Sequence, residues 1–167
     1  QTVLVEAPGR YHRIGSTIDD ALGEAFDKTA KILGLGVPGG PAVERAASTG
    51  DPNRFDLPRP LFGRPEPNFS FAGLKTAVRY YIADHPPRDD RDRAAIARAF
   101  QEAVVDSLVG PTLAAARELG LERVLVVGGV ACNRRLREKM TAAAEQAGLE
   151  AWFPSPAYCT DNAAMVA

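Results

Sequence analysis

The period of apolar and polar positions changes several times along the chain, and each change marks an element. Residues 2–7 and about 11–18 alternate as two strands, joined by the turn signal Pro8-Gly9. From Asp19-Asp20 onward the spacing turns helical. Ala21, Ala25, Phe26, Thr29, Ile32 and Leu33 share one face, and Gly34 is a natural stop. Val37-Pro-Gly-Gly-Pro41 reads as a rigid turn, with Pro41 opening a helix over 41–48. Residues 50–68, rich in Pro, Asp, Asn and Arg, read as a long loop. A helix follows Phe69-Ser-Phe and ends near Asp84, and His85 to Arg91 is a polar linker. The longest helix runs from about 92 to 119. Ile96, Phe100, Ala103, Val104 and Leu108 form its buried stripe, and Pro111 either kinks it or divides it. Strand 123–127, helix 133–147 and a short strand at 150–153 come next. Pro154-Ser-Pro156 is a loop, and a last helix opens at Thr160-Asp161. The order is β-β-α-α, helical material, then β-α-β-α, which is an α/β layout with a helical insertion at about 66–120.

Composition narrows the function classes. With 167 residues, 46% apolar and 25% charged, the chain has material for one domain with a core. Its net charge of −1 supplies no basic field, so a nucleic-acid partner must be held by a local patch or by other chains. Cys132 and Cys159 have no CxxC spacing, which fits a reducing compartment, here the cytoplasm, and argues against a disulfide framework or a zinc knuckle. No apolar run reaches membrane-spanning length and no signal peptide is visible. Gln1 leads directly into a strand and Ala167 lies inside a helical pattern, so a fragment of a longer protein is expected.

The densest candidate chemistry lies in Val124-Leu-Val-Val-Gly-Gly-Val-Ala-Cys-Asn133. A strand ending in two glycines and turning straight into a helix leaves bare N–H groups that suit a phosphate or nucleotide. Glycine also serves many such turns purely for packing. Asp20, Glu24, Asp27 and Lys31 share one helix face. Periodicity favours a solvated face with Glu24–Lys28 and Asp27–Lys31 pairs, and the sharper alternative makes Asp27 an acceptor for ligand hydroxyls such as ribose. Gly39-Gly40 is either a stiff turn or a place where a flat ligand comes close, and Glu44, one turn on, is either a favourable first-turn charge or placed to point back to it. Asn133 reads as a helix N-cap, or as an amide offered to a nucleotide. Arg134, Arg135, Arg137 and Lys139 make a basic helix start, solvated or facing phosphates. Thr160 and Asp161 fit capping, and one Asp cannot make a metal site alone. His12 and His85 are isolated, and no nucleophile–base pair is identifiable.

Taken together and in order, five segments are far more specific. Asp19-Asp-Ala-Leu-Gly-Glu-Ala-Phe-Asp-Lys28, Leu33-Gly-Leu-Gly-Val-Pro-Gly-Gly-Pro41, Asn68-Phe-Ser-Phe-Ala-Gly-Leu-Lys-Thr76, Gly128-Gly-Val-Ala-Cys-Asn133 and Cys159-Thr-Asp-Asn162 closely resemble the bacterial tRNA N6-adenosine threonylcarbamoyltransferase family, formerly labelled O-sialoglycoprotein endopeptidases. The resemblance covers essentially the whole chain. It implies the actin-like ATPase fold shared with sugar kinases and heat-shock chaperones, built of two ribonuclease-H-like lobes. This chain would be most of the second lobe, a single partial domain. It implies transfer of a threonylcarbamoyl group from threonylcarbamoyl-AMP to N6 of the adenosine beside the anticodon, in tRNAs reading codons that begin with A. Asp27, Gly40, Glu44 and Asn133 match the family's substrate-binding positions. Asp161 matches an aspartate that binds one divalent metal, iron or zinc, with two histidines of an HxxxH motif absent from this chain. The implied partners are tRNA, a paralogous dimer partner and a small ATPase, with a separate synthase making the adenylate. The isolated chain, lacking that motif and a Gly-rich substrate loop, is expected to be inactive. Two competing readings are a kinase or ATPase of the same fold that transfers phosphoryl groups, and a non-catalytic paralogue that only dimerises with the transferase. No protease constellation is present.

Overall fold

In the computed structural model, which describes residues 1–64 and 66–160, an α/β chain is organised around one long helix. Strands β1 (Thr2–Ala7) and β2 (Arg10–Gly15) form an antiparallel hairpin in which Val3 faces Arg13 and Leu4 faces His12. Helices α1 (Leu22–Leu33), α2 (Gly39–Ala47) and α3 (Ala72–Asp84) pack beside the first half of α4 (Asp90–Glu118). A parallel pair then follows: β3 (Arg123–Leu125), helix α5 (Arg134–Gln146) and β4 (Glu150–Trp152) make one βαβ crossover, with Val124 opposite Ala151.

Several expected boundaries move, each for a physical reason. Helix α1 starts at Leu22 rather than at Asp19-Asp20, because both aspartates are used elsewhere. Asp19 caps α3 across the chain: it accepts the amides of Phe71 and Ala72 at 2.8 and 3.2 Å and the hydroxyl of Ser70. Asp20 accepts from Lys75 and Lys28 at 2.8 and 3.1 Å. Val37-Pro-Gly-Gly-Pro41 is not a turn throughout. The turn ends at the cis Val37–Pro38 bond, and Gly39 and Gly40 already lie in the first turn of α2. Pro111 neither breaks nor divides α4, which runs through it as a single helix of 29 residues. At about 1.5 Å per residue that helix is some 44 Å long. Pro111 is itself buried, with Val109, Leu113, Ala115 and Ala116 beside it, and that packing offsets its lost N–H.

Two apolar clusters result. The first is helical: Phe26, Val43, Phe71, Leu74, Val78, Phe100 and Val104 are buried, with Phe26 and Phe100 edge to face at 5.3 Å. Val105, Val109, Leu113, Leu136 and Met140 build the second, under β3 and β4. Leu108 and Val130 touch both.

Candidate functional site

Strand β3 does not turn straight into α5. It ends at Leu125, and one tight 3-10 turn, Gly129–Cys132, stands before the helix. Gly128 precedes it at φ 90°, a backbone state that only glycine adopts freely. The amides of Gly128 and Gly129 are exposed and have no protein acceptor among the described residues.

The N-terminus of α5, by contrast, is occupied. Asn133 caps it, its Oδ1 accepting the amide of Leu136 at 2.9 Å. The other half of the same side chain donates from Nδ2 to Gln101 Oε1 at 3.0 Å. Glu44 does not turn back to the Gly39-Gly40 segment. Its Oε1 accepts the amide of Arg134 at 2.8 Å and lies 3.4 Å from that guanidinium. An anion at a helix N-terminus is stabilising, and here the protein supplies it. Thus the first free amide of α5 is closed by a carboxylate from α2, and the third by its own cap.

Asp27 makes the second junction. The expected Asp27–Lys31 pair is not formed among the described residues, although Glu24–Lys28 is, at 2.7 Å. Asp27 Oδ1 instead accepts the amide of Gly39 at 2.8 Å, twelve residues away. Gly39 is glycine for space: a Cβ there would fall 2.5 Å from Asp27 Cα and 2.6 Å from its Oδ1. Gly40, next along, has no described residue within 4 Å of a Cβ position, so packing among the described residues sets no size limit there. One run of contacts therefore links four candidates: Asp27 to Gly39-Gly40, along α2 to Glu44, and from Glu44 to the Arg134 amide beside Asn133. Cavities of 260 Å³ between Asn53, Arg59 and Glu102, and of 320 Å³ between Gly110, Leu113 and Ala143, lie away from it. Asp161 and the helix expected to start at Thr160-Asp161 fall outside the described residues, the helix all but Thr160. No three His, Cys, Asp or Glu side chains converge on a metal-sized position among the described residues.

The basic start of α5 faces acids of α4 rather than solvent. Arg135 grips Glu102 with two hydrogen bonds, at 2.7 and 3.0 Å, and Arg98 and Lys139 reach the same carboxylate at 3.0 and 3.3 Å. Lys139 also pairs with Asp106, which Arg59 holds at 2.7 Å. Burial pushes both carboxyls up, but these cations and their hydrogen bonds outweigh it and leave Glu102 and Asp106 below their ordinary values. Asp19 is lowered the same way, its burial outweighed by Ser70 and the two backbone amides. Arg137 reaches backbone carbonyls instead, and only Arg134 is left at the surface. Gln101 escaped sequence reasoning. It is 2% exposed and fixes the amide of Asn133. The available signal was a polar residue set between Phe100 and Ala103-Val104 in the apolar stretch of a long helix.

A family model for tRNA N6-adenosine threonylcarbamoyltransferase matches residues 1–167. Curated relatives of that name include a protein of Ralstonia pickettii (strain 12J), 52% identical over 171 aligned positions that take in 100% of this chain and 49% of the relative. Others come from Syntrophotalea carbinolica, 51% identical over 164 positions (97% of this chain, 48% of the relative), and Thiobacillus denitrificans, 51% identical over 167 (100% and 48%). The chain spans about half the length of the curated relatives it matches.

Proposed function

Because the chain belongs to the tRNA N6-adenosine threonylcarbamoyltransferase family, we propose that the protein moves a threonylcarbamoyl group from threonylcarbamoyl-AMP to N6 of the adenosine beside the anticodon of tRNA. In this reading the chain is most of one lobe of an actin-like ATPase fold. The other half of the relatives' length supplies the facing lobe. The donor is a mixed anhydride and arrives activated. No covalent intermediate on the protein is needed, only a grip on the adenylate and a fixed path for the amine.

The contacts support a role for each candidate residue. Asp27, exposed and already an acceptor for one amide, keeps a second carboxylate oxygen for ribose hydroxyls. Gly40 leaves room for a flat base beside it. The amides of Gly128 and Gly129, without a protein acceptor among the described residues, are donors for the phosphate, and Asn133 holds the turn that presents them. Glu44 joins the two sides. Asp161 and two histidines from a separate segment would ligate the iron or zinc, whose chemistry is polarisation of the donor. With a net charge of −1, this lobe leaves much of the tRNA contact to a paralogous partner and a small ATPase. A phosphoryl-transferring kinase and a non-catalytic paralogue are not favoured by the family match.

The observation that carries this reading is the open space at Gly40 next to the Asp27–Gly39 contact. Gly40→Ala in the full-length protein separates fold from function. Its melting point should hold or rise, since alanine is the better helix former by about 0.5–1 kcal/mol. Transfer of labelled threonylcarbamoyl to tRNA should fall at least tenfold, an effect of about 1.4 kcal/mol on the transition state. A variant that melts normally and transfers at the full rate would remove the base from this position.

A further inference from the structure

Cys132 and Cys159 take no part in the proposed transfer, yet the fold brings them to one loop. Cys132 ends the 3-10 turn before α5, and Cys159 follows the short turn Pro156–Tyr158. Cys132 Sγ lies 3.7 Å from the Pro156 carbonyl. Cys159 Sγ lies 3.5 Å from the Ser155 carbonyl and 3.7 Å from that of Pro154. Both thiols therefore sit over three consecutive carbonyls. Arg137 clamps the two sides together. Its Nε donates to the Ala131 carbonyl at 2.6 Å, and its Nη2 to the Pro154 carbonyl at 2.7 Å and to Cys159 Sγ at 3.4 Å. Its guanidinium also lies over the Phe153 ring, 4.9 Å from the centroid. Burial first, then a hydrogen bond with the Cys159 thiol, pushes the Cys132 thiol above its ordinary value. Two free thiols, with the Pro156 carbonyl meeting Cys132 Sγ at 3.7 Å and the Cys159 amide at 3.2 Å, unequal in exposure and held by one arginine, are more than a packing detail.

We propose that Cys132 and Cys159 form a redox pair that closes to an intramolecular disulfide when a peroxide is supplied. Cys132 is partly exposed and meets the oxidant, while Cys159, 1% exposed, resolves the product. In the first step the Cys132 sulfur takes one oxygen as the O–O bond breaks, giving a sulfenic acid and one water. In the second, Cys159 Sγ attacks Cys132 Sγ and the S–O bond breaks. Hydroxide leaves and takes the Cys159 proton as a second water. Two thiols lose two electrons, and the peroxide gains them. A closed bond would tie the Gly129–Cys132 turn to the loop over 154–159. Such a transient disulfide suits a reducing compartment, where stable ones are rare.

Treatment of the chain with hydrogen peroxide, followed by intact mass and peptide mapping without reductant, tests the pair. The expected result is a monomer lighter by two hydrogens, a linked peptide containing both cysteines, and full reversal by dithiothreitol. Cys132→Ser should give no linked peptide. The proposal is overturned by separate sulfinic acids on the two residues, by disulfide-linked dimers alone, or by two unmodified thiols at a dose that exhausts a small free thiol.

Discussion

The two apolar clusters solve the same problem with different completeness. Around Phe26, Phe71 and Phe100, four helices close over one another and leave the aromatic rings sealed. Under β3 and β4 the second half of α4 and helix α5 cover one face, and Leu125, Val127 and Trp152 stand 64, 64 and 54% exposed. Parallel strands are ordinarily covered on both faces. One half of the molecule is thus finished by its own residues, whereas the other presents a sheet that awaits covering. The candidate residues lie where the halves meet. Asp27, Gly40 and Glu44 belong to the helices of the sealed half, and Gly128, Gly129 and Asn133 to the open one. Val130, which touches both clusters, sits at that meeting line. Rigidity is supplied from one side and exposed backbone from the other.

This contrast can be challenged by substitution. Phe100→Ala, at the 0% exposed centre of the sealed half, should cost about 3–5 kcal/mol, measured as a lowered urea midpoint. A loss below about 1 kcal/mol would mean the sealed core is not the stabilising half. Glu102→Gln leaves Arg135, Arg98 and Lys139 without their carboxylate and should cost about 1–3 kcal/mol. Its pH signature has a definite sign. The folded pKa lies below the ordinary 4.5, so the stabilisation is complete above that value and is lost as pH falls through the lower folded one. Acid titration of the melting point should therefore fall less steeply in Glu102→Gln than in the parent. Asn133→Ala removes both a cap and the Gln101 bond, and about 1 kcal/mol of stability should go with them. Asn133→Asp, which keeps the cap acceptor, should recover part of that loss in the same denaturation series. The smallest effect is expected at Trp152→Ala in the open half, within about 0.5 kcal/mol by urea denaturation.

Periodicity and turn residues together located every α-helix seen among the described residues, and the β3–α5–β4 crossover with them, but neither 3-10 turn. They also placed the cap at Asn133 and the stop at Gly34, whose φ of 67° matches that role. They failed where a side chain acts at a distance. Asp19 looked like a helix opener because capping is normally local, yet it caps a helix whose first amides lie 52 and 53 residues downstream. Asp27 and Glu44 looked like members of local charge patterns, and both proved to be acceptors for amides on other elements. Gly39-Gly40 looked like a turn because two prolines flank it. Tertiary demand for close approach to Asp27 explains the first glycine, and nothing among the described residues explains the second.

The carboxylate of Glu44 on the Arg134 amide has a further meaning. A vacant helix start welcomes any passing anion, while this one already has a tenant. A lone phosphate gains little by evicting it, because one negative group merely replaces another. A larger guest with sugar and base to anchor elsewhere can draw on those holds and leave the tenant undisturbed. Discrimination against simple phosphate would then begin with a contact that the protein makes to itself.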